Sequence, residues 1–154
     1  MAANNGHLKV VEVLLNNEAN IEAKTTMSRT PLHISCLRGY FDIVKLLVDS
    51  GANINATDND FNTPLHYVSE HGYPDILKFL LDKGPEITIK NHAGLTCIDV
   101  ANNVEIRRIF EERNLINENT VNSFGRTSVG DFVLYNGRAD IVGKLLYMGS
   151  FNAK

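Results

Sequence analysis

The sequence predicts an all-α repeat solenoid of about four helix-turn-helix units, each joined to the next by a hairpin-like loop, with the last unit degenerate. Three observations carry this prediction. Thr30, Thr63 and Thr96 stand 33 residues apart, and RTPLHISCLRGYFDIVKLLVDSGANINA aligns with NTPLHYVSEHGYPDILKFLLDKGPEITI without a gap. A proline follows each of the first two threonines, and a glycine recurs at Gly39 and Gly72. After that glycine, Ile43, Val44, Leu46 and Leu47 repeat at helical spacing.

Each element has a physical reason. Pro31 and Pro64 suit a first helical position, where the missing N–H would have no partner in any case, and Thr30 and Thr63 can cap the helix start. Gly39 and Gly72 allow the sharp turn into a second, apolar helix, which Gly51 and Gly84 end. The polar stretches NINATDND and EITIKNHA follow as loops. The opening AANNGHLKVVEVLLNNEANIEA is the second part of the same unit. One such helix pair cannot bury both its faces, so each unit leans on its neighbours.

The Thr-Pro-Leu-His start, the Gly turn, the Val/Leu-rich helix and the closing Gly-Ala and Asn-Ala resemble the ankyrin repeat over nearly the whole chain. On that resemblance the units run 1–24 (partial), 25–57, 58–90 and 91–114 (shortened and cap-like), followed by a linker over 115–123 and a degenerate unit over 124–154. The third unit begins with GLTCIDVANN, but Ile106 follows Thr96 after ten residues where Ile43 follows Thr30 after thirteen. Its continuation EIRRIFEER places Ile106, Ile109 and Phe110 on one face, like a terminal cap. In the last unit Lys144 replaces an apolar position, and Gly143 costs a helix about 1 kcal/mol. The chain starts midway through a unit and stops just past Asn152 and Ala153. It is therefore expected to be either a fragment of a longer protein of this kind or a chain that self-associates end to end.

Composition excludes several function classes. Fifteen Lys and Arg against eighteen Asp and Glu give a formal charge of -3, so the general basic field that attracts nucleic acid is absent. The runs VVEVLL and IVKLLV are too short to cross a bilayer, so no membrane insertion is expected, and MAANNGHLK lacks the features of a secretory signal. Cytoplasm or nucleus is the expected location, not secretion. Cys36 and Cys97 read as reduced thiols, Cys36 in the core and Cys97 inert where a helix-opening proline would stand, and no Cys-x-x-Cys spacing suggests a metal.

No catalytic, cofactor or metal site is expected. Neither His-Glu-x-x-His nor Gly-x-Ser-x-Gly occurs, GRTSVG lacks the lysine of a phosphate loop, and Asp58 and Asp60 are expected in solvated loops. Of the five histidines, His33, His66 and His7 occupy structural positions of the repeat. His71 and His92 are free to touch a ligand. The resemblance implies a protein or peptide partner docking against loop tips and first helices that together line a concave face. Carried over by position, the tips are Met27 and Arg29, then Asn59, Asp60, Phe61 and Asn62, then His92 and Leu95; the pairs before each turn are Leu37 with Arg38 and Glu70 with His71. Phe61 stands where the family pattern has glycine, so it is expected either to contact a partner or to fold onto the next loop. The resemblance also implies a second role, as the regulatory or substrate-recruiting segment of a larger enzyme, channel or ubiquitin-ligase adaptor.

Overall fold

The computed structural model describes residues 2–115, and the chain divides into two compact units, Met1–Ile109 and Phe110–Lys154. Apart from Leu115, the expected linker lies outside the described residues, as does the expected degenerate unit over 124–154. Among the described residues there are six α-helices and no strand. They are α1 (Leu8–Asn16), α2 (Pro31–Arg38), α3 (Phe41–Asp49), α4 (Pro64–His71), α5 (Pro74–Leu81) and α6 (Val104–Glu112), preceded by a short 3-10 turn at Ala2–Asn5.

Helix starts follow from the Thr-Pro-Leu-His run. Thr30 and Thr63 are the N-caps of α2 and α4, each with proline in the first turn and a reciprocal cap from the histidine three residues on. The turns that close these helices need glycine for two reasons at Gly39: its φ is +77°, and a Cβ there would stand 2.6 Å from the Tyr73 ring of the next helix pair. Tyr40 N–H then reaches back to the Ser35 carbonyl at 3.0 Å, and α3 begins at once.

Stacking within Met1–Ile109 repeats the same contacts. The first helices α2 and α4 pack on each other, each packs on its own second helix, and the second helices α1, α3 and α5 pack in chain order. Leu32, Cys36, Ile43, Val44, Leu47, Leu65, Val68, Ile76, Leu77 and Leu80 are buried between them. On the far side of the second helices, the rings of Phe41 and Phe79 meet edge to face at 5.7 Å. Lys45 and Lys83 lie over Phe79, and Asp49 pairs with both lysines at 2.9 and 3.8 Å. Both thiols are buried, and burial raises both pKa values, that of Cys97 to about 12.

The third helix pair departs from the expectation. Residues 97–100 form a turn instead of a first helix, with Val100 N–H on the Thr96 carbonyl and Ala101 N–H on the Ile98 carbonyl. The ten-residue spacing leaves no room for two helical turns and a reversal. Cys97 also replaces the proline that opens the other first helices, and Asn103 caps α6 through the N–H groups of Glu105 and Ile106. Arg107 then occupies the register of Val11, Val44 and Leu77. It lies buried in a core slot, donating Nη1 to the Ala101 carbonyl at 3.2 Å while its Nε finds no partner. Of the second unit, the described residues 110–115 finish α6. Asn114 (φ 59°) ends that helix, and Leu115 N–H returns to the Phe110 carbonyl at 2.9 Å.

A buried hydroxyl also lacks a counterpart. Ser69 is fully buried in the register slot that Cys36 fills one unit earlier, and its Oγ makes no hydrogen bond. An unsatisfied buried hydroxyl costs about 1 kcal/mol or more. Ser69→Ala is expected to raise stability by about 1 kcal/mol, read as a higher urea midpoint with an unchanged slope.

Candidate functional site

Three loop tips, one per unit, are built on one plan. Thr25, Asp58 and Asn91 each donate their backbone N–H to the carbonyl four residues on, in Arg29, Asn62 and Leu95, at 3.0, 3.1 and 2.9 Å. The side-chain oxygen of the same residue accepts the N–H groups two and four residues on: Met27 and Arg29 for Thr25, Asp60 and Asn62 for Asp58, Ala93 and Leu95 for Asn91. The chain then turns through a left-handed residue, Ser28 (φ 59°), Phe61 (φ 60°) or Gly94 (φ 77°). These too are 33 residues apart.

Each tip is tied to the next. Asn59 N–H donates to the Met27 carbonyl at 3.0 Å, and His92 N–H to the Asp60 carbonyl at 2.9 Å. Beneath the tips, His33 and His66, placed in structural positions by the repeat, join each helix start to the tip that follows. Nδ1 of each ring accepts the N–H of its helix-capping threonine at 3.1 Å, which leaves the proton on Nε2 to donate to the Asn62 or Leu95 carbonyl at 2.9 Å. Burial is the main cause holding both histidines below their ordinary pKa, only partly offset by those carbonyl bonds.

Asp58 corrects the sequence reading. Expected in a solvated loop, it is only 4 % exposed, because the second tip needs a side-chain acceptor at that position and the next first helix covers it. Besides the two loop N–H groups, it accepts a hydrogen bond from the Tyr67 hydroxyl, and Arg29 Nε lies 3.5 Å away as an ion pair without an aligned hydrogen bond. Burial opposes its charge, but the Tyr67 hydroxyl and the Asn62 and Asp60 N–H groups outweigh it, so its pKa stays below the ordinary value. Burial and this carboxylate push the Tyr67 hydroxyl up to about 12. The Arg29 guanidinium also lies over the Tyr67 ring, 5.2 Å from its centroid.

The residues predicted for binding fall into two groups. Arg29, Asn62 and Leu95 are part of the frame: Arg29 faces Asp58 and Tyr67, the Asn62 amide oxygen accepts Asn91 Nδ2 at 2.9 Å, and the backbones of Asn62 and Leu95 serve the two histidines. Met27, Arg38, Asn59, Asp60, Phe61, Glu70, His71 and His92 are exposed, and Leu37 is half-buried. Arg38 donates Nε to the Asn4 amide at 3.1 Å. One register on, His71 stacks on Tyr73, with ring centroids 6.3 Å apart and planes 12° apart. Phe61 meets His92 of the next tip edge to face at 4.7 Å, as in the folded-back alternative, yet stays 50 % exposed.

Asp58, Tyr67 and Tyr73 were missed by the sequence reading. The register alone could have pointed to Asp58, since Thr25 and Asn91 share its slot. Among the described residues, no group of three or more His, Cys, Asp or Glu side chains could hold a metal ion, and no helix is long and apolar enough to cross a membrane.

The two buried imidazoles set a pH dependence with a definite sign. Their folded pKa values lie below the ordinary 6.5, so the unfolded chain takes up protons first as the pH falls. Stability is therefore fully present above pH 6.5 and is lost as the pH drops through the folded values. Urea midpoints should hold level from about pH 8 to 7 and decline from about pH 6.5 to 5. A His33→Gln, His66→Gln double variant should be less stable at neutral pH and lose that slope.

Comparison with known proteins agrees with this geometry. A search among curated proteins finds no match. A family model described as ankyrin repeats (3 copies) matches residues 1–91, the stretch that holds α1 to α5 and the first two loop tips. With more than half its length matched and its capping boxes, turns and tips recurring in one register, this chain belongs to the ankyrin repeat family.

Proposed function

We propose that this chain binds a partner protein or peptide on a concave face formed by its loop tips and the ends of its first helices, in the cytoplasm or nucleus. Ankyrin repeats are in general non-catalytic protein-protein interaction modules, and the reading adds a surface to that general role. Phe61 is the observation that carries it. A left-handed backbone costs an ordinary side chain about 1–2 kcal/mol that glycine avoids, and Gly94 occupies the same position one unit on.

The edge-to-face contact with His92 offsets part of that cost, about 0.5–1.5 kcal/mol. Half of the Phe61 surface is still left in water. A strained, half-exposed aromatic at a loop tip, with the exposed Arg38 and His71 at the ends of α2 and α4, has the composition of a binding hot spot. Met27, Asn59, Asp60, Glu70, His92 and Leu37 complete the proposed surface. Their mix of apolar, acidic, basic and amide groups suits discrimination between partners more than a single strong charge would. Arg29, Asn62 and Leu95 support the face by holding the tips.

Two measurements test this reading. In pull-downs from the native source, the Arg38→Ala, Phe61→Ala, His71→Ala triple variant should lose the partner that the wild type retains, and equal recovery would remove the proposed surface. Once a partner is in hand, Phe61→Gly should weaken its binding about tenfold or more. Because glycine relieves the backbone strain, the thermal midpoint should stay level or rise.

A further inference from the structure

The backbone of Arg29 closes the first loop tip, its N–H donating to Thr25 Oγ1 and its carbonyl accepting the Thr25 N–H. Its side chain takes no part in that closure. The guanidinium lies 5.2 Å from the centroid of the Tyr67 ring, and its Nε stands 3.5 Å from Asp58 Oδ2. Neither neighbour accepts a hydrogen bond from it. Nε is buried without a partner, and no hydrogen bond among the described residues uses either Nη group. Asp58 does not need Arg29 as a donor, because the Asp60 and Asn62 N–H groups and the Tyr67 hydroxyl already serve its oxygens. The guanidinium is thus held by a ring on one side and a carboxylate on another, with 22 % of the Arg29 side chain exposed and its donors still open.

We infer that Arg29 receives an Asp or Glu side chain of a partner peptide, its two Nη groups donating to the two carboxylate oxygens. This rests on the concave-face reading and adds the partner's chemistry to it. A planar fork of N–H groups matches a carboxylate in bidentate geometry, and a fork held still before binding loses less entropy than a free arginine. Charge sets a limit on the guest. Arg29 and Asp58 together sum to zero, so the site suits one negative charge and opposes a doubly charged phosphate. A second contact lies within reach. His71 Nδ1 is 3.1 Å from the Tyr67 carbonyl and carries the proton that bonds there, which leaves Nε2 of the neutral ring as an acceptor. Stacking on Tyr73 fixes the plane of that ring. Both groups neighbour Tyr67, whose ring centroid is 5.2 Å from the Arg29 guanidinium and 6.5 Å from the His71 ring. An extended strand rises about 3.3 Å per residue, so about four residues bridge them. A peptide that presents an acid to Arg29 therefore brings a backbone N–H to His71.

A random peptide library displayed on phage and selected against the full 154-residue chain tests it. Fusion to the coat protein blocks the peptides' C-termini, so a carboxylate can come only from a side chain. Selected peptides should share an Asp or Glu whose replacement by Asn or Gln weakens binding to the wild type at least about tenfold in titration calorimetry. The same replacement should weaken binding to Arg29→Gln about twofold or less. Arg29→Lys keeps a cation over Tyr67 but loses the fork, so the acid should count less with it than with the wild type. That variant carries the comparison if circular dichroism melts show Arg29→Gln to be poorly folded. Peptides that bind without an acid overturn the inference, and so does an acid that counts equally with the wild type and with both variants. If such peptides still lose affinity with Phe61→Gly, the concave face stands and only the role of Arg29 falls. A library that yields no binder removes both.

Discussion

Each imidazole of the Thr-Pro-Leu-His run serves two backbone groups from different units at once. In His33, Nδ1 closes the start of its own helix while Nε2 holds the carbonyl of the loop that follows. That one ring fixes where a helix begins and where the next tip lies relative to it. The tip fixes the next threonine, and the next threonine repeats the arrangement through His66. A neutral ring is required, because a second proton on Nδ1 would point at the threonine N–H it now accepts. Burial favours that neutral form.

The loop tips show how one backbone plan accepts different chemistry. A hydroxyl at Thr25, a carboxylate at Asp58 and an amide at Asn91 all accept the same pair of N–H groups. Of these three, only Asp58 carries a charge, and Tyr67 and Arg29 arrange themselves around it. A buried carboxylate is tolerable only with several donors; it has three, with the Arg29 guanidinium beside them as an ion-pair partner. The second tip is therefore the most heavily braced of the three. Phe61, the strained residue, projects from it.

Much of this was legible in the sequence because the repeat states itself at helix boundaries. Thr-Pro, Gly and the Val/Leu run are local signals, and α2 to α5 begin and end where those signals place them. The first helix of the third unit was not legible as a turn, since Thr96 and its apolar followers read as a helix start. Only the ten-residue spacing showed that the space was missing. Arg107 reads in the sequence as one charge on an amphipathic helix and in the fold as a plug in a core slot, because the missing helix left a carbonyl that needed a donor. For the site, exposure followed from position along the repeat. The burial of Asp58 did not, since it depends on Tyr67 from the next helix, and a buried tyrosine hydroxyl wants a partner.

The bond from His33 to Asn62 spans 29 residues, and so does that from His66 to Leu95. During synthesis at roughly 5–20 residues per second, each histidine thus waits about 1.5–6 seconds for its acceptor to be made. Each of these bonds can close only once the following unit's loop has been made.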